Sequence, residues 1–276
     1  MPADINLDFP SVGATENIML ASVFAEGETT ITNAALEPEI VDLQTMLNKM
    51  GAKVRGAGTN IIKIQGVKKL KEASHNIMPD RIEAGTLLVA AAITGGNIKI
   101  INACPEHIVP IIHKLEEMGC KIETKKDIIK LVAPKKLKAV DIKTMPYPGF
   151  PTDMQSVFGA AFTVSKGTSL IIENIFENRY KYTNELKRMG AKVTIEGKTA
   201  IIKGVKKLIG AEVHSTDLRG GAALVVAGLM ARGKTKVNNI EYILRGYENL
   251  GEKLNSLGAK IEEVGENSEK RQDKSG

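Results

Sequence analysis

The chain has 276 residues, of which 43% are hydrophobic and 25% charged, the composition of a globular protein with one large domain or two smaller ones. Its formal charge of +6 suits an anionic partner, but aromatic residues make up only 4%, which argues against a platform that stacks nucleic-acid bases. The two cysteines and four histidines show no metal-ligand spacing, and no apolar run reaches the roughly 18 residues of a membrane span. We therefore expect a cytoplasmic protein that binds no nucleic acid, membrane or metal.

One unit recurs four times along the chain. The segment 25–34 is echoed at 94–103, 165–174 and 231–239, and each echo lies between two predicted helices. Four glycines mark the end of the second helix of each unit at spacings of 68, 71 and 68 residues: Gly51, Gly119, Gly190 and Gly258. Glycine suits a helix C-terminus because it adopts the left-handed backbone at little cost.

The two helices of each unit differ in their hydrophobic pattern. The first is apolar nearly all round, at 18–24, 87–93, 157–164 and 222–230, which predicts burial on every side. The second is apolar on one face, which predicts a surface position. After the glycine, the sequence predicts a strand, a polar turn and another strand.

Four such units predict an α/β fold with helices inside and small sheets outside. A lysine-rich stretch at 67–71 precedes Pro79-Asp80, where we predict a boundary between domains 1–78 and 79–264. Residues 265–276 are polar and charged, which predicts a disordered tail.

Each inner helix opens with polar or charged residues, at 11–16, 80–83, 152–153 and 216–219, and Thr152 and Asp153 are expected to cap the third. Parallel buried helices bring their starts together, and helix starts attract anions. Four arginines recur at ends of the repeat: Arg81, Arg179, Arg219 and Arg245. Any one of them could simply pair with a neighbouring acid, but the set favours a cleft for a small polyanionic molecule.

The stretch 147–155 combines prolines and a glycine with Thr152 and Asp153 at the mouth of an apolar helix. This rigid lead-in holds the carboxylate of Asp153 in place. The residues alone leave two roles open for Asp153, a helix cap or a catalytic base.

At these positions the sequence resembles the UDP-N-acetylglucosamine 1-carboxyvinyltransferases, the MurA-type enolpyruvyl transferases. The matching strings run through almost the whole chain, at 7–15, 33–42, 79–86, 150–155, 175–179 and 216–219. The sister family, 5-enolpyruvylshikimate-3-phosphate synthase, shares the fold but not these strings. The resemblance implies an inside-out α/β barrel, with about four of the family's six repeats present, spanning part of one domain and most of a second.

The resemblance also implies a reaction. The 3-hydroxyl of UDP-N-acetylglucosamine adds to phosphoenolpyruvate, and the tetrahedral intermediate loses phosphate with no metal or organic cofactor. Asp153 matches the base, or orienting carboxylate, for that hydroxyl, and Arg219 and Arg245 match arginines that hold phosphoenolpyruvate or its intermediate.

Further positions match substrate contacts of the family. Residues that match the segment holding the uridine diphosphate are Phe9, Pro10, Ser11, Val12 and Gly13. Ile175 matches another nucleotide-sugar contact, and Arg179 and Arg81 match charged residues of the cleft.

The sequence departs from the family at two points. Leu244 precedes Arg245 where the family usually has Asp. The family's Lys-Asn pair, further phosphoenolpyruvate arginines and the loop with the proton donor would lie upstream of Met1, and neither Cys104 nor Cys120 matches that donor. We therefore expect a truncated chain with little or no activity alone, which a separate N-terminal fragment could complete in trans. The alternative is a non-catalytic α/β module that binds a phosphorylated ligand or a partner chain.

Overall fold

The computed structural model describes residues 3–264, and their elements follow the repeat. The first unit contains β1 (Asp4–Asn6), α1 (Val12–Ser22), β2 (Glu28–Thr32), α2 (Pro38–Lys49), β3 (Lys53–Arg55) and β4 (Ile61–Gln65). Its sheet has the order β1-β2-β4-β3, with β1 parallel to β2 and the other pairs antiparallel.

The second unit contains α3 (Arg81–Thr94), β5 (Asn97–Ile100), α4 (Val109–Glu117), β6 (Lys121–Lys125) and β7 (Ile128–Val132), with the sheet order β5-β7-β6. The third contains β8 (Ile142–Lys143), α5 (Gln155–Phe162), β9 (Thr168–Ile172), α6 (Tyr182–Arg188), β10 (Lys192–Glu196) and β11 (Thr199–Lys203), with the order β10-β11-β9-β8. The fourth contains β12 (Glu212–His214), α7 (Leu218–Gly228), β13 (Lys236–Asn238), α8 (Glu241–Leu244) and α9 (Leu250–Ser256).

The predicted order of helix, strand, helix and hairpin is confirmed in the first three units. Gly51, Gly119, Gly190 and Gly258 have φ between 89° and 101°, the left-handed backbone expected at a helix end. The fourth unit differs, because its outer helix is divided into α8 and α9 and residues 259–264 form no strand.

The structure adds a strand that the sequence pattern does not show. In three units a short strand precedes the inner helix and runs parallel to the strand after it, in the pairs β1–β2, β8–β9 and β12–β13. These leading strands have two or three residues. They are too short for a period-two alternation to be read.

The inner helices α3, α5 and α7 pack against one another, which confirms the arrangement of helices inside and sheets outside. Every residue of α5 is buried. The prediction of burial on every side is wrong for α1, which packs on α2, β2 and β4 and leaves Leu20 and Phe24 50% and 59% exposed. The cause is that no second inner helix from residues 3–264 covers this face of α1.

The buried side chains form two clusters. The smaller draws on residues between Leu7 and Leu70, and the larger on residues between Ile82 and Ile261. The two clusters support a domain boundary near Pro79-Asp80, which stays a prediction. The predicted tail at 265–276 lies outside the described residues, and no helix within residues 3–264 is long and apolar enough to cross a membrane.

Candidate functional site

Three inner helices begin at side-chain caps, among the polar residues that the sequence places at their starts. Ser11 Oγ accepts from the Ala14 amide at α1, and Asp80 Oδ1 accepts from the first-turn amides of α3. At α7, Asp217 Oδ1 accepts from the amides of Arg219 and Gly220 at 3.1 and 2.8 Å. These carboxylate and hydroxyl groups are thereby committed to helix ends.

The cap prediction is wrong for Thr152 and Asp153. Residues 152–154 form a 3₁₀ turn, Met154 occupies the cap position of α5, and no side chain caps that helix. Both side chains bind elsewhere, because arginine guanidinium groups compete for their oxygens more strongly than neutral amides.

Asp153 lies between two arginines. Arg179 Nη2 donates to Oδ1 at 2.8 Å, while Arg219 donates to Oδ2 from Nη2 at 2.9 Å and from Nε at 3.1 Å. Burial raises the pKa of Asp153, but the charges of Arg219 and Arg179 outweigh it and hold the pKa below its usual value. Asp153 is therefore an anion at neutral pH.

This pairing makes Asp153 a weak base and a good hydrogen-bond acceptor. A general base works best when its pKa lies near the operating pH, whereas the arginines favour the charged form. The arrangement therefore suits orientation of a donor group, such as an alcohol, more than uptake of its proton before reaction.

One donor nitrogen of Arg219, Nη1, is not used in binding Asp153. Its Nη1 is buried and has no hydrogen-bond partner among residues 3–264. Its guanidinium carbon lies 5.3 Å from the centre of the Tyr247 ring, and the Tyr247 hydroxyl bonds Thr86 Oγ1 at 2.9 Å. The ring and its hydrogen bond to α3 hold the guanidinium in place beside Asp153.

Glu173 is a part of the site that sequence reasoning missed. This carboxylate follows β9 and is 2% exposed. Its Oε1 accepts from the Thr144 hydroxyl and from the amides of Ile175 and Phe176. Its Oε2 accepts from the Thr152 hydroxyl at 2.9 Å, and Thr152 Oγ1 accepts in turn from Arg179 Nη1.

The remaining predicted residues lie in two other places. Arg81 Nε binds Glu39 Oε1 at 2.9 Å and the guanidinium lies 5.7 Å from the Tyr147 ring centre, so the start of α3 contacts that of α2. The pKa of Glu16 in α1 is raised, mainly by burial and further by the negative charges of Glu39 and Glu37. The starts of α1, α2 and α3 therefore share one electrostatic environment.

The predicted residues 9–13 lie at the start of α1. Phe9 is exposed, and a side chain added at Gly13 would meet nothing within 4 Å. Arg245 follows α8 rather than opening a long helix and is exposed. Its backbone N–H donates to the Ile243 carbonyl, but its side chain makes no hydrogen bond or ion pair with residues 3–264. Thus Asp153 contacts Arg179 and Arg219 directly, and the Ile175 amide is linked to Arg179 through Glu173 and Thr152. No hydrogen bond or ion pair among residues 3–264 joins residues 9–13 or the Arg245 side chain to them.

The site offers no cluster of metal ligands within the described residues. Among residues 3–264, no three His, Cys, Asp or Glu side chains are grouped so that they could hold a metal ion. The side chains around Asp153 are instead arginines and hydroxyls, which bind anions and alcohols.

The chain is closely similar to curated bacterial proteins. It is 61% identical over 257 residues to UDP-N-acetylglucosamine 1-carboxyvinyltransferase 1 of Caldanaerobacter subterraneus subsp. tengcongensis, covering 93% of this chain and 62% of that protein. It is 56% identical over 262 residues to UDP-N-acetylglucosamine 1-carboxyvinyltransferase of Halothermothrix orenii, covering 95% and 63%. The chain thus spans a little over three fifths of the length of these relatives.

Solved structures and a family model agree with this similarity. The enolpyruvyl transferase NikO from Streptomyces tendae superposes with a TM-score of 0.85 at 25% identity, over 96% of this chain and 65% of that one. EPSP synthase from Acinetobacter baumannii gives 0.73 at 24% identity, over 94% and 63%, and shows the shared fold. The predicted enolpyruvyl-transferase-like α/β architecture is confirmed. The family model described as EPSP synthase (3-phosphoshikimate 1-carboxyvinyltransferase) matches residues 1–254, so the chain belongs to this family.

Proposed function

We propose that this chain supplies the nucleotide-sugar site and part of the phosphoenolpyruvate site of a UDP-N-acetylglucosamine 1-carboxyvinyltransferase. The reaction moves the enolpyruvyl group of phosphoenolpyruvate to the 3-hydroxyl of UDP-N-acetylglucosamine and releases phosphate. The names of relatives at 56–61% identity support this choice of substrates. On this proposal the chain acts in the cytoplasm, in the first committed step of peptidoglycan synthesis, on which cell shape and division depend.

The observation that carries the proposal is the Asp153 carboxylate held between Arg179 and Arg219 at 2.8 and 2.9 Å. In the proposed reaction the sugar hydroxyl donates a hydrogen bond to Asp153, and its oxygen bonds to C2 of phosphoenolpyruvate. A separate general acid, which the proposal assigns to no residue among 3–264, gives a proton to C3. The hydroxyl proton becomes far more acidic as the C–O bond forms. A carboxylate with a low pKa can therefore accept it late in the step.

The second half of the proposed reaction breaks the bond between C2 and the phosphate oxygen while C3 loses a proton, which leaves the enolpyruvyl ether and free phosphate. The free Nη1 of Arg219 is a donor for the substrate's carboxylate or phosphate. We propose that Arg245 is a second cation for the same group.

Nucleotide-sugar binding is proposed at two places. We propose that residues 9–13 hold the diphosphate, since the first-turn amides of α1 favour anions and Gly13 leaves room for one. Ile175 and Arg179 lie in the loop after β9, beside Asp153, and we propose that they contact the sugar half. Arg81 is proposed as a cleft residue between these places.

Calorimetry with UDP-N-acetylglucosamine tests the proposal on the 276-residue chain. We expect heat of binding for the chain and a loss of about tenfold or more in affinity for Asp153→Asn, because the sugar hydroxyl loses a charged acceptor. Asp141→Asn is the matched control, since Asp141 also accepts a backbone hydrogen bond, from Leu170, but contacts neither arginine. Absence of binding by the unaltered chain would overturn the proposal.

A non-catalytic module is the second candidate, and the exposed apolar face of α1 favours it. Leu20 on this face and Phe24 just after the helix suit a partner chain. The partner we propose is a separate fragment matching the part of the relatives' length that this chain does not span. Binding of such a fragment, with none of UDP-N-acetylglucosamine, would favour this candidate.

A further inference from the structure

Glu173 has no part in the proposed chemistry, yet it is the most buried carboxylate beside the site. Four donors converge on it from three segments of the chain: the Thr144 hydroxyl after β8, the Thr152 hydroxyl before α5, and the amides of Ile175 and Phe176 after β9. Three of them bind Oε1. Within residues 3–264, Oε2 accepts from the Thr152 hydroxyl alone, at 2.9 Å.

The Thr152 hydroxyl has one proton, and Glu173 determines where that proton points. An ionised carboxylate can only accept, so the proton of Thr152 must face Oε2. The lone pairs of Thr152 Oγ1 then face Arg179, whose Nη1 donates to them. The other terminal nitrogen of the same guanidinium, Nη2, donates to Asp153 Oδ1 at 2.8 Å.

Local turn formation explains only half of this arrangement. A side-chain oxygen that accepts from the amides two and three residues further on is a common way to start a turn, and Oε1 of Glu173 does this. The second oxygen is not needed for the turn. It bonds across to Thr152, a residue 21 positions earlier, and thereby to the arginine that pairs with Asp153.

We propose that Glu173 is a positioning residue, which orients the Thr152 hydroxyl so that Arg179 is held against Asp153 and the Ile175 loop is held beside them. This role rests on the proposed function, because it assigns to Glu173 the alignment of the sugar-binding side of the site. Glu173 itself touches neither substrate nor reacting atoms in this role.

The hydrogen bonds from Glu173 through Thr152 to Arg179 are called the relay below. A pH titration of Asp153 tests the relay without any ligand. Thr152→Val removes the relay hydroxyl, keeps the shape of the side chain and changes no charge. We expect it to loosen Arg179 and to shift the Asp153 titration midpoint upward, as followed by carbon-13 NMR of the Asp153 carboxyl. Thr144→Val is the control, because Thr144 also donates to Glu173 but does not contact Arg179.

The two threonine variants separate positioning from stability. Thr144 is fully buried, so its replacement should destabilise the fold at least as much as that of Thr152, while the Asp153 midpoint stays in place. An unchanged or lower midpoint in Thr152→Val, or an equal upward shift in both variants, would overturn the proposal.

Nucleotide-sugar affinity provides the second readout. We expect Glu173→Gln to weaken UDP-N-acetylglucosamine binding about tenfold or more, because one charge-assisted hydrogen bond reverses and the loop loses its fixed partner. Glu185→Gln is the control. Glu185 accepts from the His214 amide and lies 3.8 Å from Arg188 Nε, away from Asp153, so this variant should stay within about twofold of the unaltered affinity. Equal affinity of Glu173→Gln and the unaltered chain would overturn the role of Glu173.

The outcomes distinguish this inference from the proposed function. If the unaltered chain binds no UDP-N-acetylglucosamine, the proposed function fails, while the Asp153 titration of the two threonine variants still decides the relay. If circular dichroism shows that Glu173→Gln does not fold, the same pair of threonine variants decides it.

Discussion

Replacing Asp153 by Asn should destabilise the protein, because it removes the one anion between two arginines. The side chains of Arg179 and Arg219 are 19% and 13% exposed, and that of Asp153 is 34% exposed. The amide oxygen of Asn can accept from one guanidinium only. The second guanidinium would then lie close to the first, a like charge, with no anion to pair with. Breaking a buried ion pair costs about 3–5 kcal/mol. With solvent screening at the exposed part of Asp153, we expect a loss of about 2 kcal/mol.

A loss of this size corresponds to a fall of about 4–8 °C in the melting temperature of a chain of this length. Its pH dependence follows from the depressed pKa of Asp153 in the folded state. The unfolded carboxyl titrates near pH 3.9, roughly, so the stabilisation is complete above that pH and is lost as the pH falls through the folded pKa. The gap in melting temperature between the unaltered chain and Asp153→Asn should therefore be constant from about pH 5 to 8 and narrow below about pH 4.

Thermal melts followed by circular dichroism measure both effects. Asp141→Asn is the control for the loss of a carboxylate, since Asp141 is exposed and accepts from one backbone amide. If Asp153→Asn melts at or above the temperature of the unaltered chain at neutral pH, then the two arginines do not depend on Asp153, and the reasoning about the site is wrong.

Three further predictions concern packing, thiol reactivity and turnover. A Cβ at Gly159 would lie 2.4 Å from the hydroxyl oxygen of the buried Tyr182. Gly159→Ala should therefore lower the free energy of unfolding by about 1–3 kcal/mol, as measured by urea titration. An unchanged urea midpoint would contradict this close packing of Gly159 on Tyr182. Burial raises the pKa of Cys120 to about 11, so a disulfide reagent should label the less buried Cys104 first in the folded protein, and equal rates would contradict this. The 276-residue chain alone should release little or no phosphate from the two substrates, because no group among residues 3–264 is assigned as the general acid, and lacking one costs about 10²- to 10⁴-fold; turnover near that of a full-length relative would refute this.

The repeat could be predicted from the sequence because it depends on local signals. Glycine at the helix ends and an apolar run in each inner helix recur at a nearly constant spacing, and both follow from backbone and burial preferences. The exposure of Leu20 and Phe24 could not be predicted, because apolarity shows that a helix can be covered and not whether a neighbour covers it.

The candidate site was predictable in its residues but not in its bonds. The sequence indicates Asp153, Arg179 and Arg219 as candidate residues. It leaves both a cap and a base open for Asp153, because its arginine partners are 26 and 66 positions away. Glu173 was missed although a signal exists. The corresponding position of the other units holds Asn33, Asn102 or Asn239, so an acid there departs from the repeat.

The separation of the two cores has a consequence for local opening. Residues 66–80 join the cores without a helix or strand, and among residues 3–264 the cores are also bridged by the ion pair of Arg81 with Glu39. The smaller core can therefore open while the larger stays closed, so amide hydrogens in β2 and β4 should exchange with solvent before those of α5. A nucleotide sugar held by both residues 9–13 and the Asp153 side would couple the two openings, and its binding would slow exchange most in residues 4–65.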